Sequence, residues 1–193
     1  METKEQILIA ARRVFDRDGV EGLSMREIAK DVGITPMAIY RHYENKQALL
    51  DALVLDGLAE WSKRAEAIPP GTPMLFLARI SEAYLDFALR EPRRFEAAFL
   101  VHSTKARRYP DDFVAGRSPA GNLQLQMIEK AMEDGYLAKT SPVEMLVTIA
   151  GLSQGLVTLY RAGRIVGGEE AFRTLYRNAM RRCIESFQRE KSS

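Results

Sequence analysis

Residues 37–46 concentrate side chains suited to recognition: Met37, Ala38, Tyr40, Arg41, His42 and Lys46. They offer hydrogen bonding and charge, with no nucleophile–base pairing among them. A phenol, an imidazole and an ammonium suit phosphate oxygens, whereas small, adaptable or guanidinium side chains suit base edges. At about 100° per helical residue, Ile39 and Tyr43 share one side, and Met37, Ala38 and Arg41 fall opposite. Tyr40 and His42 lie on the two flanks. Such a helix can turn one side to a protein core and the other to a DNA major groove. Arg26 and Thr35 stand at the edge of the same stretch, Pro36 opens the helix, and Lys46 follows at the start of the next one. The helix N-terminus adds N–H groups favourable to phosphate.

Two short capped helices must hold these residues in place. Ser24 reads as an N-cap, with Glu27 completing an S-x-x-E box, and Leu23 with Ile28 as a hydrophobic staple. Met25, Ile28, Ala29 and Val32 recur at helical spacing. Gly33 falls where a left-handed residue would end the first helix. Thr35 then caps the second, with Pro36 at its first position, and Ile34 with Ile39 repeats the staple. The competing reading is a small helical hairpin with a polar outer face, which composition alone favours. The box, the doubled staple, the turn glycine and the aromatic and basic flanks together reverse that preference. The result is the grammar of a helix-turn-helix.

This stretch resembles the DNA-binding domain of the TetR (tetracycline repressor) family of bacterial transcription regulators. Ser24, Ile28-Ala29, Gly33-Ile34-Thr35, Ile39-Tyr40-Arg41-His42-Tyr43, Asn45-Lys46 and Leu49 carry the match. The family often has Gly then Thr where this chain has Met37 then Ala38. Because those positions face the groove, the resemblance leaves the operator sequence open. It implies an all-α fold, a homodimer, a double-stranded DNA operator and a bacterial cytoplasmic location.

The 193-residue chain is long enough to bury a sizeable core. Its 46% hydrophobic content and mean hydropathy of −0.22 describe a globular protein rather than a disordered one. A net charge of +2 excludes a histone-like polycation, so the placement of Arg26, Arg41 and Lys46 must create any DNA-binding surface. One cysteine forbids an internal disulfide and fits a reducing compartment. Neither a signal peptide nor an apolar run able to span a bilayer is expected. His42, His102 and Cys183 have no metal-ligand spacing, and no nucleotide-binding or hydrolase motif occurs. We expect no cofactor, no metal and no enzymatic activity.

The remaining chain reads as helices separated by clear punctuation. Thr3 and Gln6 suggest a capping box for a first helix with Ile7, Ala11, Val14 and Phe15 on its apolar face, stopping near Gly19. Asn45 caps a helix over 45–66 that links a DNA-binding domain, 1–46, to an effector-binding and dimerisation domain, 47–193. Pro69-Pro70-Gly71 breaks the chain. Thr72-Pro73, Ser118-Pro119 and Ser141-Pro142 each read as an N-cap followed by proline. Pro92 starts a helix within 91–102. Residues 103–117 lack a period, and Lys105, Arg107 and Arg108 there read as a solvated loop. A helix over 119–134 ends at Gly135. The next, from Ser141 to Ala162, is apolar enough to be buried on most sides. A last amphipathic helix covers 169–189, and Cys183 on its apolar stripe reads as core.

The resemblance also implies a small effector held between C-terminal helices. Trp61, Tyr84, Phe87, Phe95, Phe99, Met127, Met132 and Tyr160 are candidate lining residues, and Tyr84, His102, Gln124 and Gln154 candidate polar anchors. For each apolar residue, ordinary core is the competing reading. Methionines and aromatics would suit an apolar or aromatic effector. Gly151 and Gly155, four residues apart, would allow close approach of another helix, with Leu152, Leu159, Phe172 and Tyr176 supplying apolar area. Packing within one subunit explains the same glycines nearly as well. The family, whose members dimerise through their last two helices, favours a dimer interface. A helical ligand-binding or interaction protein without DNA binding is the alternative function.

Overall fold

The structure is a computed structural model that describes residues 2–188. In chain order its helices are α1 (Thr3–Gly22), α2 (Met25–Val32), α3 (Pro36–Tyr40), α4 (Lys46–Glu66), α5 (Pro73–Arg90), α6 (Pro92–Phe99), α7 (Asp111–Val114), α8 (Pro119–Glu133), α9 (Pro142–Arg161) and α10 (Gly168–Glu185). No strand occurs among the described residues; Leu137 and Gln188 form an isolated bridge. The all-α expectation holds.

The chain forms two units. The first runs through Glu60 and includes Glu91–Ala106; the second comprises Trp61–Arg90 and the chain from Arg107 onward. The expected boundary at residue 46 falls inside the first of these units, and the helix expected to link the two halves runs from one unit into the other. Leu49, Leu50 and Leu53 of α4 and Ala97 of α6 share a core with Ile7, Phe15, Ile28 and Ile39. Sequence periodicity shows that α4 has an apolar face but not which core that face joins. Residues 189–193 of the expected second domain lie outside the described residues.

In the first unit, local chemistry sets the helix-turn-helix. The Ser24 hydroxyl accepts from the Glu27 N–H at 3.4 Å. Gly33 adopts φ 78°, and its N–H meets the Lys30 carbonyl while that of Ile34 reaches Ala29 at 2.9 Å. These paired bonds satisfy the last carbonyls of α2 and turn the chain sharply. Thr35 Oγ1 accepts from the Ala38 N–H at 3.1 Å, and Pro36 stands at the first position of α3. Asn45 Oδ1 caps α4 through the Ala48 N–H at 2.8 Å. The expected Thr3 box does not form. Thr3 is already helical, Glu2 is the cap without a side-chain bond, and the Gln6 N–H goes to the Glu2 carbonyl. Gly19, at φ 69°, breaks the helical path of α1 as expected.

The second unit packs α5, α8, α9 and α10 against one another. Thr72, Ser118 and Ser141 cap α5, α8 and α9 through the N–H groups of Leu75, Gly121 and Glu144. Residues 103–117 form a loop apart from the single turn of α7. Two expectations need correction. α9 is not buried on most sides: Met145, Leu146, Ile149, Ser153 and Val157 face inward, while Gly151, Gly155 and Leu159 are exposed. By length and mean hydropathy (1.4), α9 is also apolar enough to cross a bilayer, contrary to the sequence reading. The last helix ends at Glu185 rather than at Arg189, which lies outside the described residues.

Candidate nucleic-acid interface

Burial divides α3 and the turn after it as helical spacing requires. Ile39 is fully buried and Tyr43 nearly so, while Met37 is 72% and Tyr40 48% exposed. Arg41, His42, Lys46, Arg26, Thr35 and Pro36 are exposed, and Ala38 is half-buried. α3 itself ends at Tyr40, but the N–H groups of Arg41, His42 and Tyr43 still reach the carbonyls of Ala38 and Ile39. The helical turn thus continues through Tyr43, which keeps Arg41 one turn on from Met37 and His42 on the flank. Lys46, the first residue of α4, lies just beyond.

Sequence reasoning missed Lys4. The Tyr43 hydroxyl donates to the Lys4 carbonyl at 3.4 Å, and the Lys4 ammonium lies 5.7 Å from the Tyr43 ring centroid. This ties the start of α1 to the end of the recognition turn, leaving an exposed ammonium beside it. Residues 39 positions apart carry no local signal of such a contact. Burial pushes the Tyr43 phenol above its ordinary value, so it remains a neutral donor.

Residues 7–53 match a family model described as bacterial regulatory proteins, tetR family, and residues 77–183 match one described as tetracyclin repressor-like, C-terminal domain. The chain belongs to the TetR family. It is 30% identical over 167 residues to the class A tetracycline repressor protein from transposon 1721 of Escherichia coli, covering 84% of this chain and 69% of that protein. Its fold is similar to that of a bacterial regulatory protein in the tetR family from Rhodococcus RHA1, with TM-score 0.69, 18% identity and coverage of 99% and 100%. A TetR variant from Acinetobacter baumannii AYE, solved in complex with minocycline, gives TM-score 0.70 at 20% identity, with 98% of each chain covered. The protein is thus a TetR-family transcription regulator with a helix-turn-helix DNA-binding domain.

The expected effector residues of this TetR-family chain do not all converge. In the second unit Trp61 meets Tyr84 edge-on at 5.4 Å and stacks on Phe87 at 6.3 Å, and the Arg64 guanidinium lies 4.9 Å from the Phe87 ring. Burial raises the Tyr84 phenol far above its ordinary value, keeping it neutral. Gln124 bonds the Ala120 carbonyl of its own helix at 3.1 Å, and Met127 is half-buried nearby along α8. Tyr160 stacks on Phe172 at 4.1 Å, while Gln154 is half-buried on α9. Phe95 and Phe99 pair at 5.1 Å in the first unit, which also contains the exposed His102. Cys183 is half-buried, and burial pushes its thiol up, as suits a packing residue.

The expected dimer residues also separate. Gly151 and Gly155 are open: a Cβ added at either would meet no atom within 4 Å, and Leu159 is 45% exposed. Leu152 is half-buried. Phe172 and Tyr176, by contrast, are wholly buried within the chain and cannot supply surface. Both belong to the inward stripe of α10, which the sequence could not distinguish from its outward one. Leu175, 41% exposed, stands on the outward side instead.

Proposed function

We propose that the protein is a homodimeric repressor that binds a double-stranded DNA operator and releases it when a small-molecule effector, apolar or aromatic, is bound. The observation that carries this reading is the division of the recognition turn: Ile39 and Tyr43 buried, Met37, Arg41 and His42 exposed. In this reading Met37, Ala38 and Arg41 face base edges, with Arg26, Thr35 and Pro36 assisting from the rim. Tyr40, His42 and Lys46 hold phosphates. The similarity to a tetracycline repressor and to a minocycline-bound TetR variant supports both repression and effector control. The open stripe of Gly151, Gly155, Leu159 and Leu175 supports pairing through α9 and α10. The regulator acts without a cofactor or a catalytic step, in the bacterial cytoplasm where its operator lies.

Selection from a random DNA library tests the proposal. The expected product is a palindrome whose half-sites lie roughly 34–36 Å apart, about one helical turn. No enrichment, together with no salt-dependent shift on any duplex, would leave a ligand-binding protein without DNA-binding activity.

A further inference from the structure

Within the second unit, α5 and α10 enclose a cleft of about 320 Å3. α5 lines it at positions 74, 78, 81 and 82, one face of a helix. Ala78 lines it with only a methyl group, between the longer Met74 and Glu82. Across from it, α10 presents Met180 and Ile184. The four apolar side chains make an aliphatic floor, bordered by Ser81, Glu82, Arg177, Arg181, Glu185 and Gln188, and the ring of Tyr176, which also borders the space, is wholly buried. Methionine side chains adapt readily to flexible chains. The volume lies at the small end of ligand sites, roughly 300–1,000 Å3.

The charged groups and hydroxyls around this space already have partners, and the neutral amide of Gln188 also borders it. The Ser81 hydroxyl donates to the Leu77 carbonyl at 2.9 Å. The Tyr176 hydroxyl donates to the Ser81 carbonyl at 3.1 Å and also meets the Ser153 hydroxyl. At the mouth, Arg177 forms a two-point bond to Glu82 at 2.7 and 2.9 Å. Arg181 reaches both oxygens of Glu185 at 3.0 and 3.2 Å. An incoming carboxylate must compete with Glu82 or Glu185 for a guanidinium. An incoming ammonium must compete with the arginines for a carboxylate. Either loses water without finding an opposite charge that is not already paired, and burying a charge under those conditions is unfavourable. An uncharged aliphatic molecule meets no such obstacle.

We propose that this cleft is a binding site for an uncharged aliphatic small molecule, and that the Arg177–Glu82 pair excludes ionised amphiphiles of the same length. Only the occupant's role as effector rests on the proposed function; binding does not. Titration calorimetry on the full chain, with octan-1-ol, octanoate and octylamine as probes, tests it. Octan-1-ol should bind saturably with one molecule per chain, and the two ions at least tenfold more weakly. Ala78→Leu adds bulk to the cleft wall at an exposed position where leucine is nearly as good a helix former. It should weaken octan-1-ol at least tenfold while far-UV circular dichroism stays unchanged. Glu82→Gln should leave octan-1-ol unaffected and bring octanoate within threefold of it. Absence of saturable octan-1-ol binding, unchanged affinity in Ala78→Leu, or affinity blind to the head group would each overturn the proposal. Operator shifts measured on the same samples separate the two ideas. Operator bound without octan-1-ol binding removes the cleft assignment alone; octan-1-ol bound without any DNA shift removes the proposed function alone.

Discussion

Gly57 offers a test in which the sign of the result decides the matter. It is buried on α4, and a Cβ there would lie 2.9 Å from the Ala98 Cβ and 3.1 Å from both its Cα and its backbone nitrogen. On an open helix, Gly→Ala stabilises by about 1 kcal/mol through propensity. Overpacking a filled site costs about 1–3 kcal/mol. Two of the three close atoms here are backbone and cannot rotate away, so the upper half of that range applies. Gly57→Ala should therefore lose a net amount of about 1–2 kcal/mol. At about 2–4 °C per kcal/mol for a chain of this size, Tm falls by roughly 2–8 °C. Ala98→Gly alone should also destabilise, by about 1 kcal/mol of propensity and about 0.8 of lost burial. The double variant returns a methyl group to the same space and should stand within about 1 kcal/mol of wild type, a strong coupling between contacting sites. The assay is thermal denaturation followed by far-UV circular dichroism at one fixed protein concentration, because any dimer makes Tm concentration-dependent. A rise in Tm for Gly57→Ala, or additive behaviour of the pair, would refute the close packing of α4 on α6.

Lys46→Ala should weaken operator binding uniformly across sequences and reduce the slope of log K against log salt by about 1; an unchanged slope, read by fluorescence anisotropy, removes Lys46 from the phosphate contacts. Tyr176→Phe deletes a hydroxyl shared by the Ser81 carbonyl and the Ser153 side chain, and urea denaturation should show a loss of about 1–3 kcal/mol. Gly155→Arg should give helical monomers with poor operator affinity by sedimentation equilibrium, and an intact dimer would move the interface off α9. At Asp51 burial works against ionisation, but hydrogen bonds from Ser103, Gln47 and Thr104 outweigh it and hold the carboxyl below its usual range. A depressed folded pKa stabilises above the unfolded value, about 3.9, and is lost as pH falls through the folded one. The Tm gap between wild type and Asp51→Asn should accordingly narrow as pH is lowered from 7 to below 4, and a constant gap would contradict the assignment.

The helix-turn-helix was legible because its determinants are neighbours in the chain. Ser24, Gly33, Thr35 and Asn45 act within a few residues, and each occupies the position its side chain or φ demands. The outward face of α3 followed from periodicity alone. Elsewhere periodicity showed that a face was apolar but not what covered it. Periodicity therefore puts Phe172 and Tyr176 on a surface they do not reach and makes α9 read as more buried than it is. The cleft beside Ala78 depends on two helices 95 residues apart, the separation of the Arg177–Glu82 pair that closes it. No local pattern marks it. The bond from Tyr43 to Lys4 escaped for the same reason.

Because Glu91–Ala106 belongs to the same unit as the helix-turn-helix, this DNA reader is not a contiguous cassette. Asp51 takes hydrogen bonds from Ser103 at 2.7 Å and Thr104 at 2.8 Å, and Asp56 meets Arg94 at 3.3 Å. A chimera spliced once inside α4, with the first 60 residues joined to another regulator's sensor, would strip both aspartates of these partners and leave the α4 side of Gly57 facing a foreign sequence. Recombination that exchanges sensors among such genes meets the same restriction: a productive crossover must carry 91–106 along with the head, or find a donor whose equivalent of 91–106 already matches Gly57, Asp51 and Asp56. For this chain, rewiring which signal controls which operator calls for two splice windows rather than one.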